Sequence, residues 1–397
     1  MLENKKAFLF DMDGLLIDSE KMHLDLWLPI FEKYGVKNGE DVLYKVIGVT
    51  GEMSKQILLE YTGNADFFSL YREEKEEATN RFLEENGMPV KKGAKELLDY
   101  LKERQYPMVL VTSTRKDTVN RFLHLANLDG YFDHMICGDE VSKSKPDPEG
   151  YLKAVEKYHL NKEECVILED SRNGILAGNQ AGIDVIGIPD LLDISDYNCT
   201  LYSNLLEVLD ELKQNEKKIL ITGFEAFDGD ELNPTEETVK ILPEYYLNYT
   251  ITKKVLPVDT TCFSYIENEL EQYNVIISMG LAAMRKTYTI EQIGINIDDF
   301  RIPSNLGETK NHEIIEKDGL DGYFSTLPID RIIEHLKTKN IEMRISYSAG
   351  TYICNHILYE LGYHLHNTKQ RYGFIHVPST TDYEGIKEMV LGVIEVL

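Results

Sequence analysis

The sequence predicts an α/β protein: two doubly wound α/β/α domains in tandem, the first with an inserted helical cap. Short apolar runs alternate with helical patterns, which is typical of parallel sheets covered by helices. The chain has 397 residues, more than one hydrophobic core usually serves. The polar stretch LKQNEKK interrupts the alternation near the middle. We therefore assign residues 1–212 to a first domain, 213–218 to a linker and 219–397 to a second domain.

Composition narrows the possible partners and the cellular compartment. The formal net charge of −26 argues against nucleic acid and anionic membrane surfaces. The N-terminal residues lack a signal-peptide pattern, and no apolar stretch approaches the roughly 20 residues that span a bilayer. The five cysteines are widely spaced and form no CxxC pair, which argues against a disulfide framework and a zinc cluster. We expect a cytoplasmic protein that can still bind a small phosphorylated molecule.

The first domain begins with an apolar run, 7–10, that ends in Asp-x-Asp-Gly, as a buried strand does when it delivers acids at its tip. Residues 19–88 have helical periodicity and charge-dense faces, which predicts the helical cap. Strands and helices then alternate in this order: strand PMVLVTS, helix 116–125, apolar segment 134–137, strand CVILEDS, helix NGILAGNQAG and strand IDVIGI.

Polar side chains follow these strands at one predicted sheet edge. They are Asp11 and Asp13, Thr112 and Ser113, Lys145 in a loop, and Asp170. Because parallel strands end at the same edge, these groups can converge. These groups suit phosphoryl transfer, because they include a carboxylate nucleophile, a second acid, a hydroxyl, an ammonium and a distal acid for Mg²⁺. Lys143 is a nearby competitor for the ammonium role, but the proline that follows Lys145 favours the latter.

Four segments of the first domain resemble, in order and spacing, the four motifs of the haloacid dehalogenase superfamily. They are FDMDGLLIDSE, VLVTS, SKPDP and ILEDSRNG. The likeness extends to its small-sugar phosphatases and β-phosphoglucomutases, and the helical insertion resembles their cap. The resemblance implies these roles: Asp11 as the nucleophile that forms an aspartyl-phosphate, Asp13 as general acid/base, Thr112, Ser113 and Lys145 as phosphate ligands, and Asp11, Asp170 and the Asp13 backbone carbonyl as Mg²⁺ ligands supported by Glu169.

The resemblance leaves phosphatase and phosphomutase open, because the cap decides whether water or a sugar hydroxyl enters. His23 matches a histidine found in some mutases of the group. A histidine one turn into a cap helix is more often packed or solvent-facing, and we favour that interpretation. We expect a phosphatase that acts on a small phosphorylated metabolite such as a sugar phosphate.

The second domain restarts the alternation without repeating the first. Its predicted elements are strand KILITG, a helix after Asn233-Pro234, a strand around Val255, a helix over 262–273 and strand VIISMG. In SYSAGTYICNHILYELGYHLH, a strand over 343–347 runs into a helix whose first turn holds Cys354. A helix N-terminus favours a thiolate and can bind an oxyanion.

His376 lies near the end of the next predicted strand, GFIHVP. We interpret the segment as a parallel strand–helix–strand unit, which places Cys354 and His376 at one sheet edge as a nucleophile and its base. His356 is a rival base on the same helix, but it points away from Cys354 at two residues' separation. No set of ligands has the spacing of a metal site in this half.

Five segments of the second domain resemble pyroglutamyl peptidase I. They are ILITGFEAFDGDELNPTEE, GLAAMRKTYTIEQIGINIDDFRIPSNLG, YFSTLPI, SAGTYICNHILY and GFIHVP. The resemblance implies a cofactor-free thiol peptidase with Cys354 as nucleophile, His376 as general base and Glu291 orienting the imidazole. It also implies that Phe224 and Phe227 pack on the pyrrolidone ring of the substrate, although from the sequence alone both can equally be core. The segment GLAAMR departs from the usual version, which puts the shape of the pocket in doubt.

The sequence therefore predicts a bifunctional cytoplasmic hydrolase. A Mg²⁺-dependent phosphatase is fused to a cysteine peptidase that removes N-terminal pyroglutamate from peptides. Homo-oligomerisation through the peptidase domain is left open. The alternative from another class, that one half is only a non-catalytic binding module, is less favoured because both sets of chemical groups are complete.

Overall fold

The protein forms two compact units, Met1–Asn215 and Glu216–Leu397. The computed structural model describes residues 1–46, 51–64, 67–132 and 134–397. The predicted linker, 213–218, contributes mainly to regular structure, because a helix runs to Gln214 and a strand starts at Lys217. The stretch lacks apolar periodicity because it combines the exposed end of that helix with the exposed start of that strand. Within the described ranges, no helix is both long and apolar enough to cross a membrane.

Unit 1 is built on a six-stranded parallel sheet. Its strands are β1 (Ala7–Phe10), β2 (Met108–Val111), β3 (His134–Ile136), β4 (Cys165–Glu169), β5 (Asp184–Gly187) and β6 (Thr200–Leu201). They lie in the order β3-β2-β1-β4-β5-β6. The order reverses at β1, so the segments that follow β1, β2 and β4 leave the sheet side by side, where ligands bind in doubly wound folds. This confirms the predicted parallel architecture of the first domain.

Nine helices are described in unit 1. They are α1 (Ser19–Lys33), α2 (Gly39–Val46), α3 (Gly51–Thr62), α4 (Phe67–Asn86), α5 (Ala94–Glu103), α6 (Lys116–Leu125), α7 (Glu149–Lys157), α8 (Arg172–Ala181) and α9 (Leu205–Gln214). Helices α1 to α4 form the cap, and their buried side chains form a separate core: Trp27, Ile30, Phe31, Val42, Leu43, Leu58 and Tyr71. The two connections to the cap pair with each other, since Asp18 N donates to Pro89 O and Lys91 N to Leu16 O, both at 2.9 Å.

Unit 2 contains a seven-stranded mixed sheet and a two-stranded ribbon. The strands are β7 (Lys217–Phe224), β8 (Tyr245–Tyr246), β9 (Tyr249–Leu256), β10 (Val275–Leu281), β11 (Tyr288–Glu291), β12 (Ile293–Ile295), β13 (Gly322–Phe324), β14 (Met343–Ser346) and β15 (Arg371–Val377). The large sheet has the order β14-β11-β15-β10-β7-β9-β8, and β12 pairs with β13. The four strands from β15 to β9 are parallel, whereas β11 runs antiparallel to β15 and β8 antiparallel to β9.

This topology corrects the predicted parallel strand–helix–strand unit. Strand β11 lies between β14 and β15, pairing in parallel with β14 and antiparallel with β15. The prediction did not recognise β11 as a strand, because its alternating pattern, Tyr-Thr-Ile-Glu, is only four residues long. The helix predicted over 262–273 is two short 3₁₀ helices, Cys262–Tyr265 and Glu267–Gln272.

Helices cover both faces of the large sheet of unit 2. They are α10 (Pro234–Ile241), α11 (Ile329–Thr338), α12 (Ile353–Leu365) and α13 (Tyr383–Ile394). Alternate strand residues supply two cores: Ile277 and Ile375 pack with α10, α11 and α13, whereas Ile276 and Phe374 pack with α12 and the 3₁₀ helices. Residues of β15 that share the Phe374 side, two positions apart, therefore face α12.

The cap core gives a direct test of packing. Phe31 is fully buried, and its ring lies 5.0 Å from that of Tyr71. Phe31→Ala should lower the free energy of unfolding of the cap by about 3–5 kcal/mol, through lost burial and a cavity. The only tryptophan, Trp27, lies in the same core, so urea unfolding followed by its fluorescence reports on the cap. Leu59→Ala, at a side chain 45% exposed, should change the value by no more than about 0.5 kcal/mol; equal effects would contradict the assignment of this core.

Candidate active sites

In unit 1, the carboxyl ends of β1 and β4 bring two carboxylates to one lysine. Asp11 follows β1 directly, and Glu169 ends β4. The Lys145 ammonium lies 2.5 Å from Asp11 Oδ1 and 2.6 Å from Glu169 Oε1, and it donates to the Val111 carbonyl at 2.9 Å. Burial lowers the pKa of Lys145, but the two carboxylates outweigh burial and raise it well above its usual value. Lys145 is therefore a fixed cation beside Asp11.

The other candidates for phosphate binding differ in exposure. Thr112 is buried, and its hydroxyl accepts a hydrogen bond from Thr114 N at 3.0 Å. Ser113 is exposed at the same edge of the sheet. Lys143, the competitor for the ammonium role, is 72% exposed and pairs with Asp147 at 3.3 Å. Of the two lysines, the structure brings Lys145 and not Lys143 to the acids.

Glu169 is fully buried and is held from both sides. Its Oε1 also accepts from the Tyr151 hydroxyl at 2.8 Å, and its Oε2 accepts from Ser171 Oγ at 3.1 Å and from Asp170 N at 3.2 Å. Gly174 permits this arrangement, because a Cβ there would lie 1.7 Å from Glu169 Oε1. Glu169 is thus a rigid support for Lys145. Tyr151, which reaches the carboxylate from α7, was not predicted because no motif includes it.

Asp13 is oriented by two hydroxyl groups. Ser19 Oγ, at the start of α1, donates to Asp13 Oδ1, and Thr114 Oγ1 donates to Oδ2, both at 2.8 Å. Burial raises the pKa of Asp13. A carboxyl that is held in place and has a raised pKa can exchange a proton with a reacting group. Sequence reasoning missed Ser19 and Thr114, although both stand within two residues of recognised motif positions.

The acids of unit 1 fit a divalent cation. Carboxylate oxygens of Asp11, Glu169 and Asp170 lie within 4.8 Å of one another. Burial raises the pKa of Asp11 to about 8, against the lowering effect of Lys145. Burial, then the charges of Glu169 and Asp11, raise the pKa of Asp170. Buried carboxylates so close together repel one another, and a hard cation such as Mg²⁺ relieves this.

In unit 2, the Cys354 thiol and the His376 ring lie on one face of the sheet. Cys354 is the second residue of α12 and is half-buried. A Cβ on Gly280 of β10 would lie 2.8 Å from Cys354 Sγ, so the glycine lets the thiol pack directly on the strand. Gly280 pairs with His376 across β10 and β15. The His376 ring lies 4.9 Å from that of Phe374, which points towards α12.

A buried carboxylate holds the imidazole. Glu291, at the end of β11, is fully buried, and its Oε1 lies 2.7 Å from His376 Nδ1. The same oxygen accepts from Arg285 Nη1 at 2.5 Å, and Arg285 also contacts Thr289 Oγ1 and donates to Ser348 O at 3.3 Å. Arg285 therefore links Glu291 to the loop before Cys354. Its role was not predicted, because the only available signal was a basic residue six positions before Glu291.

The protonation states favour a neutral thiol and a neutral imidazole. Burial raises the pKa of Cys354 to about 12, and the charge of Glu291 adds to this. Burial lowers the pKa of His376, although its hydrogen bond with Glu291 acts in the opposite direction. Burial therefore opposes the thiolate that the N-terminus of α12 favours. The thiol needs a base, and Nε2 of His376 is the ring nitrogen not bound to Glu291.

Aromatic side chains belong to, or pack against, the same core as the thiol. Phe227 and Tyr352 are half-buried, pack against the same core as Cys354 and have ring centroids 6.2 Å apart. Phe300 meets Tyr352 edge-on at 4.9 Å. Phe224 is only 3% exposed and lies deeper, in the core beneath. Of the two predicted ring-binding residues, Phe227 is the more accessible, and Tyr352 and Phe300 were not predicted.

Two histidines weighed in the sequence lie in other environments. His356 is buried, and its Nδ1 lies 2.9 Å from Asp298 Oδ2, which gives the rival base a structural partner. His23 stacks on Trp27 in the cap, with ring centroids 4.0 Å apart. Burial lowers the pKa of His23 to about 3. The stacked position of His23 agrees with the packing role favoured for it from the sequence, and His356 is engaged by Asp298.

Comparisons with known proteins match both units. Residues 217–392 match the family model of pyroglutamyl peptidase, and residues 8–188 match that of haloacid dehalogenase-like hydrolases. Pyrrolidone-carboxylate peptidases of Staphylococcus saprophyticus and Vibrio parahaemolyticus are 43% and 42% identical to this chain; each match covers 41% of this chain and 78% of the relative. The solved pyrrolidone carboxyl peptidase from Thermococcus litoralis is 34% identical over 45% of this chain and 92% of that chain, with a TM-score of 0.43.

The fold and the family matches define an enzyme that joins two hydrolase domains, the first of the haloacid dehalogenase-like kind. Through its second domain, the chain belongs to the pyroglutamyl peptidase family. The resemblances found in the sequence are thereby confirmed for both halves.

The Glu291–His376 pair predicts a change in the acidity of the imidazole. Glu291→Gln removes the charge that raises the pKa of His376, so this pKa should fall further. We expect the ring to lose proton affinity by a factor of about ten or more. Histidine-labelled NMR of the full chain, with the signal assigned through His376→Gln, measures the titration. Glu342→Gln, at an exposed glutamate paired with Arg344, is the matched control and should leave it unchanged. An unchanged His376 titration in Glu291→Gln would refute the electrostatic coupling.

Proposed function

We propose that the chain is a bifunctional hydrolase. Unit 2 removes N-terminal pyroglutamate from peptides by a cysteine mechanism, and unit 1 releases phosphate from a small phosphorylated metabolite. The observation that carries the first part is the buried His376–Glu291 hydrogen bond of 2.7 Å on the sheet face that also receives the Cys354 thiol. The observation that carries the phosphatase proposal is the position of the Lys145 ammonium between the carboxylates of Asp11 and Glu169.

In the peptidase reaction, Cys354 Sγ attacks the carbonyl carbon of the 5-oxoproline residue. The thiol proton passes to His376 Nε2, and Glu291 stabilises the imidazolium that forms. His376 then donates this proton to the leaving peptide amine as the amide bond breaks, which leaves a thioester. Water, deprotonated by His376, cleaves the thioester and restores the thiol. Backbone N–H groups at the start of α12 lie beside Cys354, where they can stabilise the oxyanion.

The aromatic wall supports an uncharged substrate end. Phe227 and Tyr352 are half-buried and pack on the same core as the nucleophile, and the buried Phe300 ring supports Tyr352. A lactam buries apolar methylene groups there, whereas a peptide with a free ammonium group would lose its hydration. The wall thus favours pyroglutamate over an ordinary N-terminal residue.

Replacing the nucleophile tests the peptidase. Cys354→Ser should lower release of a chromophore from a pyroglutamyl amide by at least about 10³-fold, since a hydroxyl is a far weaker nucleophile in a site built for a thiol. Cys262→Ala, at a buried cysteine of the same unit, is the control and should retain the activity if it folds, as circular dichroism can verify. Activity that survives in Cys354→Ser would overturn the nucleophile assignment.

In the phosphatase reaction, an Asp11 oxygen attacks phosphorus and displaces the alcohol of the substrate. Asp13 protonates the leaving oxygen, then takes a proton from the water that hydrolyses the aspartyl-phosphate. Lys145 binds the transferring phosphoryl group and balances its charge. Asp11, Asp170 and the Asp13 backbone carbonyl would hold Mg²⁺, with Glu169 in support, and the ion would neutralise phosphate charge.

We propose a sugar phosphate as substrate, because the resemblance extends to small-sugar phosphatases, whose cap the helical insertion resembles. The five cysteines are all free in the described structure, which supports a reducing, cytoplasmic setting. Assembly through the peptidase domain stays a prediction.

A pair of neighbouring lysines tests the phosphatase. Lys145→Ala should lower Mg²⁺-dependent phosphate release from hexose 1-phosphates by about 10²-fold or more, whereas Lys143→Ala should leave it nearly unchanged. Asp11→Asn should abolish it and leave the peptidase intact. Equal effects of the two lysine variants would contradict the assignment. If the product is an isomerised sugar phosphate and no free phosphate is released, the result would contradict the phosphatase and support a phosphomutase.

A further inference from the structure

A second group of carboxylates adjoins the proposed Mg²⁺ site. Oxygens of Glu20, Asp170 and Asp190 lie within 4.8 Å of one another. Glu20 belongs to the first turn of cap helix α1, Asp170 follows β4, and Asp190 lies in the loop after β5. Asp170 is common to both groups. The set joins the cap to the sheet domain through acidic side chains alone.

One oxygen of this set is buried without a partner. The Asp190 side chain is 7% exposed, and its Oδ1 pairs with Lys91 Nζ at 2.5 Å. Its Oδ2 is buried and has no hydrogen-bond partner among the described residues. A Cβ on Gly14 would lie 3.2 Å from this oxygen and 2.2 Å from Asp170 Oδ2. Both oxygens therefore point into the space that the missing side chain of Gly14 leaves.

The charges near this space are not balanced. Among the described residues, seven carboxylates lie around the two groups and their lysines, against the two ammonium groups of Lys145 and Lys91; they belong to Asp11, Asp13, Asp18, Glu20, Glu169, Asp170 and Asp190. With all seven ionised, a single divalent ion still leaves three more negative than positive charges. An unpartnered buried carboxylate oxygen in such a field calls for a second cation.

We propose that a second divalent cation of the Mg²⁺ class binds between Glu20, Asp170 and Asp190, with Asp170 bridging the two ions. The ligands are hard carboxylate oxygens, as such ions prefer, and two ions that share a carboxylate typically lie about 3.5–4 Å apart. Binding the ion does not depend on the proposed reaction of unit 1. Its effect on phosphate release does rest on that proposal.

The second ion would hold the cap against the sheet domain. Lys91 already joins the two cap connections to the loop after β5, because its Nζ lies 2.5 Å from Asp190 Oδ1 and 3.6 Å from Asp18 Oδ1. An ion on Glu20 adds a link at the start of α1, one residue after Ser19, which orients Asp13. Cation binding would thus couple the position of the cap to that of the acid/base.

Mn²⁺ titration of the full chain, followed by electron paramagnetic resonance, tests the site. The unchanged protein should show an exchange-coupled pair of Mn²⁺ ions, a signal that ions bound singly on an acidic surface do not give. Asp190→Asn and, from the cap side, Glu20→Gln should lower the affinity for the second Mn²⁺ by at least about tenfold. The first Mn²⁺ should then give the signal of a single, uncoupled ion. Asp193→Asn, at an exposed aspartate three residues on, should keep the pair.

A single uncoupled Mn²⁺ in the unchanged protein, with phosphate release intact, would overturn the second site and leave the phosphatase standing. A coupled pair that persists in both Asp190→Asn and Glu20→Gln would also overturn it. Absence of bound Mn²⁺ together with absence of phosphate release would overturn the proposed phosphatase as well.

Discussion

A fully buried glutamate lies behind the reacting group of each unit. Glu169 holds Lys145 at 2.6 Å beside Asp11, and Glu291 holds His376 at 2.7 Å on the face that receives Cys354. Removing a carboxylate from water costs several kcal/mol, which only close cations and hydrogen bonds can offset. The glutamate is therefore stable in one arrangement of its partners, and that arrangement fixes the group that does the chemistry.

Close packing around glycines makes these arrangements possible. A side chain on Gly174 would overlap the Glu169 carboxylate, and one on Gly280 would meet the Cys354 thiol. In both units a polar group is pressed directly against the backbone of a helix or strand. Glu169 is fully buried and Cys354 half-buried, so the electrostatic interactions of these groups are stronger than they would be in solution.

Much of unit 1 could be predicted because its sheet is purely parallel. Each strand ends at the same edge, so Asp11, Lys145 and Asp170 converge whatever the lengths of the intervening segments. Residues that only orient others gave no signal: Thr114 is one of several hydroxyls after β2, and Tyr151 reaches Glu169 from the first turn of α7. Their roles depend on side-chain directions that periodicity does not encode.

Unit 2 shows how a correct pairing can follow from an incorrect topology. Cys354 and His376 share a face of the sheet, but not as parts of one parallel unit, since β11 lies between β14 and β15. Strand β11 is short and polar at both ends, so its pattern is weak. It carries Glu291, whose role came only from the resemblance. In a mixed sheet the strands do not all end at the same edge. The position of Glu291 relative to His376 therefore could not be inferred from the order of the strands in the sequence.

Burial favours the neutral form of Asp11 in unit 1 and of Cys354 in unit 2. In unit 1, burial raises the pKa of Asp11 to about 8, so a nearby cation that lowers this pKa would favour the carboxylate form. In unit 2, burial leaves a neutral thiol beside a neutral imidazole, because it raises the pKa of Cys354 and lowers that of His376. In the proposed peptidase reaction, the thiolate would form as the proton moves to His376 during attack, and Glu291 would stabilise the positive charge on the ring. In the proposed phosphatase reaction, the carboxylates of unit 1 would instead be charged with the help of a bound cation.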